Sequence, residues 1–203
     1  MKIKTAIVGA TGYAGAELVR LLYSHPNAEI SAVSSKSFEN MQLSEVYPSY
    51  KGFCDLVCEN QSDIIDKADV VFAALPHGLS EPMAKECLDK GVKFIDLGAD
   101  FRLYDENEYT QWYGKNFDCP EIHKNAQYII PELFRDRFEK DTVSIIANPG
   151  CYPTSITLGL APALKNNLIH TDPIMIDSKS GVTGAGRGLS QTTHYPDCNE
   201  AFS

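Results

Sequence analysis

An apolar strand that runs straight into a glycine turn and then an amphipathic helix leaves a chain few folds to choose from. Here Thr5-Ala6-Ile7-Val8 is followed at once by Gly9-Ala10-Thr11-Gly12-Tyr13-Ala14-Gly15. Ala14, Leu18, Leu21 and Leu22 then recur at helical spacing as far as Ser24-His25-Pro26. Glycines in that setting let backbone N–H groups approach a pyrophosphate at a helix N-terminus, where the helix dipole favours anions. The spacing is G-x-x-G-x-x-G, a variant of the commoner dinucleotide fingerprint, with an ordinary tight turn as the competing reading. Gly9, Thr11, Gly12, Tyr13, Ala14 and Gly15 are the first candidate cofactor-binding residues.

The next strand, Glu29 to Val33, ends in Ser34-Ser35-Lys36-Ser37. A site for NAD usually offers an acidic side chain here, on the ribose 2′-hydroxyl. Ser34, Ser35 and Lys36 offer hydroxyls and a cation, which can bind and neutralise a 2′-phosphate that a carboxylate would repel. NADP(H) is favoured over NAD, against the alternative of a plain polar loop. Residues 38 to 66 predict no more than a short strand or two. Asp69 to Leu75 predicts a fully buried strand ending in Pro76-His77-Gly78, and Ser80 a helix cap, with that helix running to about Asp89 and stopping at Gly91. Val92 to Leu97 predicts a further strand. Strands alternating with helices imply an α/β fold, a doubly wound parallel sheet of Rossmann type, with ligands at the carboxyl ends of the strands. Pro76, His77, Gly98, Ala99, Asp100 and Arg102 fall on that edge. Residues 103 to 142 read as an irregular excursion, with Tyr128 to Leu133 a short apolar stretch carrying Glu132.

Val143 to Ala147 predicts a buried strand, and Asn148-Pro149-Gly150-Cys151-Tyr152-Pro153-Thr154 follows it, with a helix expected from Thr154 onward. Proline suits a first helical turn, where its missing N–H has no intrahelical partner. Cys151 is thus expected on a tight turn facing a helix N-terminus, where unpaired N–H groups and the dipole favour the thiolate. The thiolate is the reactive form, which makes Cys151 a candidate nucleophile; a small core hydrophobe is the other reading. Beyond it, Ile174 to Asp177 predicts a strand of a second domain, and Ser180-Gly181-Val182-Thr183-Gly184-Ala185-Gly186-Arg187 a loop that touches a ligand with its backbone, or else a flexible surface loop.

Composition removes several classes of function. A formal net charge of −9 argues against nonspecific nucleic-acid or anionic-membrane binding. No apolar run approaches the ~20 residues of a membrane span. Six cysteines without framework spacing, and a start that runs straight into a core strand, imply free thiols in a reducing cytoplasm. Cys54 and Cys58 lie four apart, but no second pair completes a metal site.

The glycine turn, Asp100-Phe101-Arg102, the Asn148 to Thr154 motif and the Ser180 to Arg187 loop occur in one order, and together they resemble the N-acetyl-gamma-glutamyl-phosphate reductases, arginine-biosynthesis relatives of aspartate-semialdehyde dehydrogenase. The resemblance covers essentially the whole chain. It implies a nucleotide-binding domain at residues 1–148, then from 149 to 203 the start of a glyceraldehyde-3-phosphate-dehydrogenase-like α+β domain. It also implies an oxidoreductase that forms a thioester on Cys151 from N-acetyl-glutamyl phosphate and reduces it with NADPH. Pro76 and His77 would line the nicotinamide pocket, and Gly184, Ala185 and Gly186 would meet the cofactor. Arg102, Asn148, Ser180, Gly181 and Arg187 would meet the substrate, with an ion pair to Asp100 as the structural alternative for Arg102. A cytoplasmic dimer or tetramer is expected. Relatives place a general acid/base histidine in a His-Arg-His-Thr-Pro segment that these residues do not contain, and His194 reads as a surface histidine. The chain is therefore expected to be an N-terminal portion, poorly supported beyond about Leu168. An NADP-binding fragment without turnover and aspartate-semialdehyde dehydrogenase itself are the alternatives.

Overall fold

A computed structural model describes residues 1–135 and 143–198; residues 136–142 of the predicted excursion and the last five residues lie outside them. The chain divides into two compact units, Met1–Asn148 and Pro149–Ser203.

Among the described residues the first unit is built on seven parallel strands: β1 (Ile3–Val8), β2 (Ala28–Ser34), β3 (Cys58–Glu59), β4 (Val70–Ala73), β5 (Lys93–Asp96), β6 (Ala126–Tyr128) and β7 (Ile145–Ala147). Their order across the sheet is β3-β2-β1-β4-β5-β7-β6. The order reverses at β1, where β2 lies on one side and β4 on the other, and doubly wound sheets bind ligands at such a switch point. Ala6, Val8, Val71, Ala73, Phe94, Ile145 and Ala147 pack with Met83, Ala84 and Cys87 into one core. Ile7 and Val33 pack with Val19, Leu43 and Cys58 into a second. Both faces of the sheet are covered, which is why the strands read as near-continuous apolar runs. β4 is less covered than expected, since Val70 and Phe72 are only half-buried.

Among the described residues the α-helices of this unit are α1 (Tyr13–Tyr23), α2 (Leu43–Val46), α3 (Glu81–Asp89), α4 (Glu106–Tyr113) and α5 (Pro131–Phe134). Much of the predicted excursion is regular after all, α4, β6 and α5 among it. Asp105 caps α4 by accepting the Asn107 and Glu108 amides, and Gly114, left-handed at φ 69°, closes it. β6 adds a parallel edge strand beside β7.

The second unit begins with α6 (Cys151–Lys165) and ends, among the described residues, with α7 (Tyr195–Cys198). The expected strand at Ile174–Asp177 does not form. Its residues are exposed and no strand of this unit lies beside them among the described residues, so the ladder that defines a strand is missing. Val182–Ala185 forms a single 3₁₀ turn.

Candidate dinucleotide site and reactive cysteine

The turn after β1 is locked by glycine geometry. Gly9 is left-handed at φ 76°, and a Cβ there would lie 2.4 Å from the Ala74 carbonyl oxygen. A Cβ on Gly15 would lie 2.1 Å from the Gly9 carbonyl oxygen. These two glycines are demanded by the fold itself. Gly12 differs: its φ is −75°, and a Cβ would meet only the Gly9 carbonyl, at 3.4 Å. The fold tolerates a side chain there, so glycine at this helix N-cap fits a ligand that approaches the backbone. Gly12 supplies no side-chain cap, which leaves the first amides of α1 to an anion.

Hydrogen bonds tie this turn to the end of β2. The Gly9 and Ala10 amides donate to the Ser34 carbonyl at 3.1 and 3.0 Å. The Thr11 and Ser35 hydroxyls lie 2.6 Å apart, both buried. Ser34 is buried as well, while Lys36 is exposed, as are Tyr13 and Ala14. Residues that sequence reasoning left without pattern complete the cradle: the Tyr47 hydroxyl donates to the Thr11 carbonyl at 2.9 Å and Tyr50 to that of Ala16 at 2.6 Å.

At the ends of β4 and β5 the structure revises one expectation and removes one alternative reading. Ser80 makes no side-chain cap for α3; its hydroxyl donates to Asp96 Oδ1 at 2.7 Å. Arg102 makes no ion pair with Asp100 among the described residues. Its Nε donates to the Asn148 carbonyl and an Nη to the Leu97 carbonyl, both at 2.9 Å, which ties the end of β5 to the end of β7. Asp100 instead accepts the amides of Gly78 and Ser80 and the hydroxyl of Tyr109. Burial pushes the Asp96 carboxyl up to about 6, with Asp100 adding to the effect and the Ser80 hydroxyl opposing it. Asp96 was overlooked in the sequence, although a carboxylate inside the apolar run Phe94-Ile95-Asp96-Leu97, just before a glycine, is a legible signal. Pro76 and His77 are exposed beside this network. His123 is buried, stacked on Phe117 with ring centroids 3.6 Å apart.

In the second unit, Cys151 is the first residue of α6, three residues before the expected start, with Gly150 as N-cap. The Thr154 amide and hydroxyl both close on the Gly150 carbonyl, at 3.0 and 2.8 Å, so Tyr152 and Pro153 lie within the first turn. Among six free cysteines Cys151 is the exposed one. Burial holds the thiols of Cys54, Cys58 and Cys87 above the usual range, the last two at about 11 and about 12, as suits core residues. Ser180 is half-buried, and Gly181, Gly184, Ala185, Gly186 and Arg187 are exposed in the same unit, Gly186 at φ 81°. His194 is exposed, 3.9 Å from Asp197. Among the described residues no helix is long and apolar enough to cross a membrane, and no group of His, Cys, Asp or Glu is arranged to hold a metal ion.

A parallel sheet with a glycine turn at its switch point and a tethered second-strand serine defines a Rossmann-type dinucleotide-binding domain. More narrowly, the chain belongs to the semialdehyde dehydrogenase family: residues 4–141 match the model of the semialdehyde dehydrogenase NAD binding domain, and residues 151–203 that of the semialdehyde dehydrogenase dimerisation domain. The chain is 56% identical, over 99% of its length, to an N-acetyl-gamma-glutamyl-phosphate reductase of Clostridium beijerinckii, and 51% identical to one of Brachyspira hyodysenteriae. It spans 58% of the length of each of these relatives. Among solved structures, aspartate semialdehyde dehydrogenase II of Vibrio cholerae superimposes with a TM-score of 0.62 at 20% identity, covering 81% of this chain and 47% of the other. That likeness supports the fold.

Proposed function

We propose that this chain carries the nucleotide-binding domain and the nucleophile of an NADPH-dependent N-acetyl-gamma-glutamyl-phosphate reductase, acting in the cytoplasm as a homo-oligomer. The observation that carries the reading is Cys151, the exposed cysteine at the first position of a 15-residue helix, in a chain so close to reductases of that name.

The chemistry explains the residue type. The Cys151 thiolate attacks the acyl carbon of N-acetyl-L-glutamyl 5-phosphate, the carbon–oxygen bond to phosphate breaks, and phosphate leaves. A free carboxylate resists hydride, whereas the resulting thioester is electrophilic. NADPH, when bound, supplies the hydride. The tetrahedral oxyanion then collapses, breaking the carbon–sulfur bond to release N-acetyl-L-glutamate 5-semialdehyde and regenerate the thiolate. Amides of the first turn of α6 can steady the developing oxyanion, a contribution of roughly 3–4 kcal/mol where such donors have been removed.

The dinucleotide would rest its pyrophosphate on Gly9, Thr11, Gly12, Tyr13, Ala14 and Gly15, and its 2′-phosphate by Ser34, Ser35 and Lys36. Lys36 is the exposed cation among these three. Pro76, His77, Gly184, Ala185 and Gly186 would meet the nicotinamide end. In the first unit Asn148 and Arg102, whose two backbone bonds leave other guanidinium N–H groups for an anion, and in the second unit Ser180, Gly181 and Arg187, are the residues proposed for the substrate.

Calorimetry with NADPH and NADH on this chain, and turnover of the acyl phosphate by the full-length protein, test the reading. Tight NADPH binding that Cys151→Ser leaves unchanged, with turnover abolished, supports it. Undiminished turnover by Cys151→Ser overturns the mechanism, and turnover of aspartyl phosphate in preference overturns the substrate.

A further inference from the structure

Strand order decides which half of a dinucleotide meets which strand. With the pyrophosphate on the turn after β1 and the adenosine half beside the end of β2, the nicotinamide half falls to the segments after β4 and β5, on the other side of β1. The segment after β4, Pro76 to Ser80, has no regular structure of its own. What holds its backbone amides, those of Gly78 and Ser80, is a single carboxylate.

Asp100 is completely buried. It accepts the Gly78 amide, the Ser80 amide at 2.8 Å and the Tyr109 hydroxyl at 3.0 Å. Gly78 is left-handed at φ 79°, so its amide is aimed by a conformation that other residues rarely adopt. The Tyr109 ring lies 5.0 Å, centroid to centroid, from Tyr113, and Tyr113 lies 5.7 Å from His77. One carboxylate therefore fixes the turn's backbone directly, and through two tyrosines of α4 it also backs the ring of His77. A mere N-terminal cap for α3 would need the Ser80 amide and those just after it. It would have no use for the Gly78 amide or the Tyr109 hydroxyl.

We propose that Asp100 is a positioning residue that holds the Pro76–Gly78 turn and the His77 ring where the nicotinamide half of the dinucleotide binds. The inference rests on the reading of the chain as an NADPH-binding protein.

The test uses the full-length protein with Asp100→Asn and Tyr109→Phe. Each is titrated with NADPH, whose fluorescence reports the surroundings of the nicotinamide, and with 2′,5′-ADP, which keeps the adenosine half and lacks the nicotinamide. The Asn side chain turns a donor toward amides that are themselves donors. NADPH should bind about tenfold more weakly to Asp100→Asn and a few-fold more weakly to Tyr109→Phe, with a reduced fluorescence change, while 2′,5′-ADP binds both as it binds the unaltered protein. Unchanged NADPH affinity in both variants overturns the proposal. So does an equal loss for the two nucleotides, which would mark a general loss of structure. Should Asp100→Asn fail to fold, Tyr109→Phe, which leaves the carboxylate in place, decides the matter alone. Unaltered protein that binds neither nucleotide overturns the dinucleotide reading itself, and this proposal with it.

Discussion

The hydroxyl of Ser80 donates to Oδ1 of Asp96 across 2.7 Å, so the residue that opens α3 is spent on the end of β5 and not on its own helix. Asp96 is wholly buried and its Oδ2 has no hydrogen-bond partner among the described residues. An ionised carboxylate in that position is costly, which is why burial raises its pKa to about 6.

The pH dependence follows with a definite sign. In the unfolded chain Asp96 ionises near 3.8, and in the fold near 6, so between those values the folded state holds more protons. The Asp96 contribution to stability is therefore greatest below pH 4, falls as pH rises towards 6, and is level above that. Asp96→Asn lacks this loss. Urea unfolding of both proteins from pH 4 to pH 7 should show their difference in stability moving in favour of the variant by about 2–3 kcal/mol. Parallel curves would mean that Asp96 ionises normally in the fold.

The glycine turn separates fold from ligand. Gly9→Ala forces a Cβ against the Ala74 carbonyl at a positive φ, and Gly15→Ala forces one into the Gly9 carbonyl. Both should lose more than about 2 kcal/mol of stability or fail to fold. Gly12→Ala meets neither obstacle and should stay within about 0.5 kcal/mol. Its affinity for the dinucleotide should nevertheless fall at least tenfold, as read by calorimetry, because the new methyl occupies the approach to the helix N-terminus. An unchanged affinity would remove Gly12 from the site.

That contrast shows what was legible in the sequence. β1, its glycine turn and α1 could be read because apolar period and turn glycines are local properties, and the same holds for β2, β4 and β5. β6 was not legible: Ala126-Gln127-Tyr128 owes its conformation to hydrogen bonds with β7, which no local pattern reports. Ile174 to Asp177 is the converse case, with a strand-like composition and, among the described residues, no strand of its own unit beside it. α4 was legible and overlooked, since Asp105-x-x-Glu108 and Gly114 mark both of its ends. The start of α6 was misread because Pro153 suggested a first turn at Thr154. Proline is equally comfortable three residues inside a helix that Gly150 begins. Of the site, residue types were readable and partners were not: Arg102 looked like an anion clamp, and its binding of two backbone carbonyls emerges only when β5 and β7 lie side by side.

Arg102→Lys tests that structural role. An ammonium on a flexible stem cannot serve the Asn148 and Leu97 carbonyls as the planar fork does. One hydrogen bond from a charged donor should be lost, lowering stability by about 1.5–3 kcal/mol in urea unfolding. Unaltered stability would show that the two carbonyls find other donors, and would leave Arg102 to the substrate alone.

Tyr47 carries the last expectation. Its hydroxyl reaches from the residue after α2 to the Thr11 carbonyl, inside the glycine turn, while Tyr50 reaches the Ala16 carbonyl one turn along α1. Neither bond joins two elements of the sheet, so neither is needed for the strand ladder. Their effect is to hold the Thr11 to Ala16 segment in one conformation before a ligand arrives, which lowers the ordering cost of binding. Tyr47→Phe keeps the ring, which packs on the core around Leu43, and removes only the hydroxyl. Stability should fall by about 0.5–1.5 kcal/mol, and dinucleotide affinity should fall a further few-fold as the turn samples other conformations. The two effects separate in a titration at a temperature where the variant is fully folded. If affinity is untouched there, the turn is rigid through its glycines alone, and Tyr47 serves the fold and not the site.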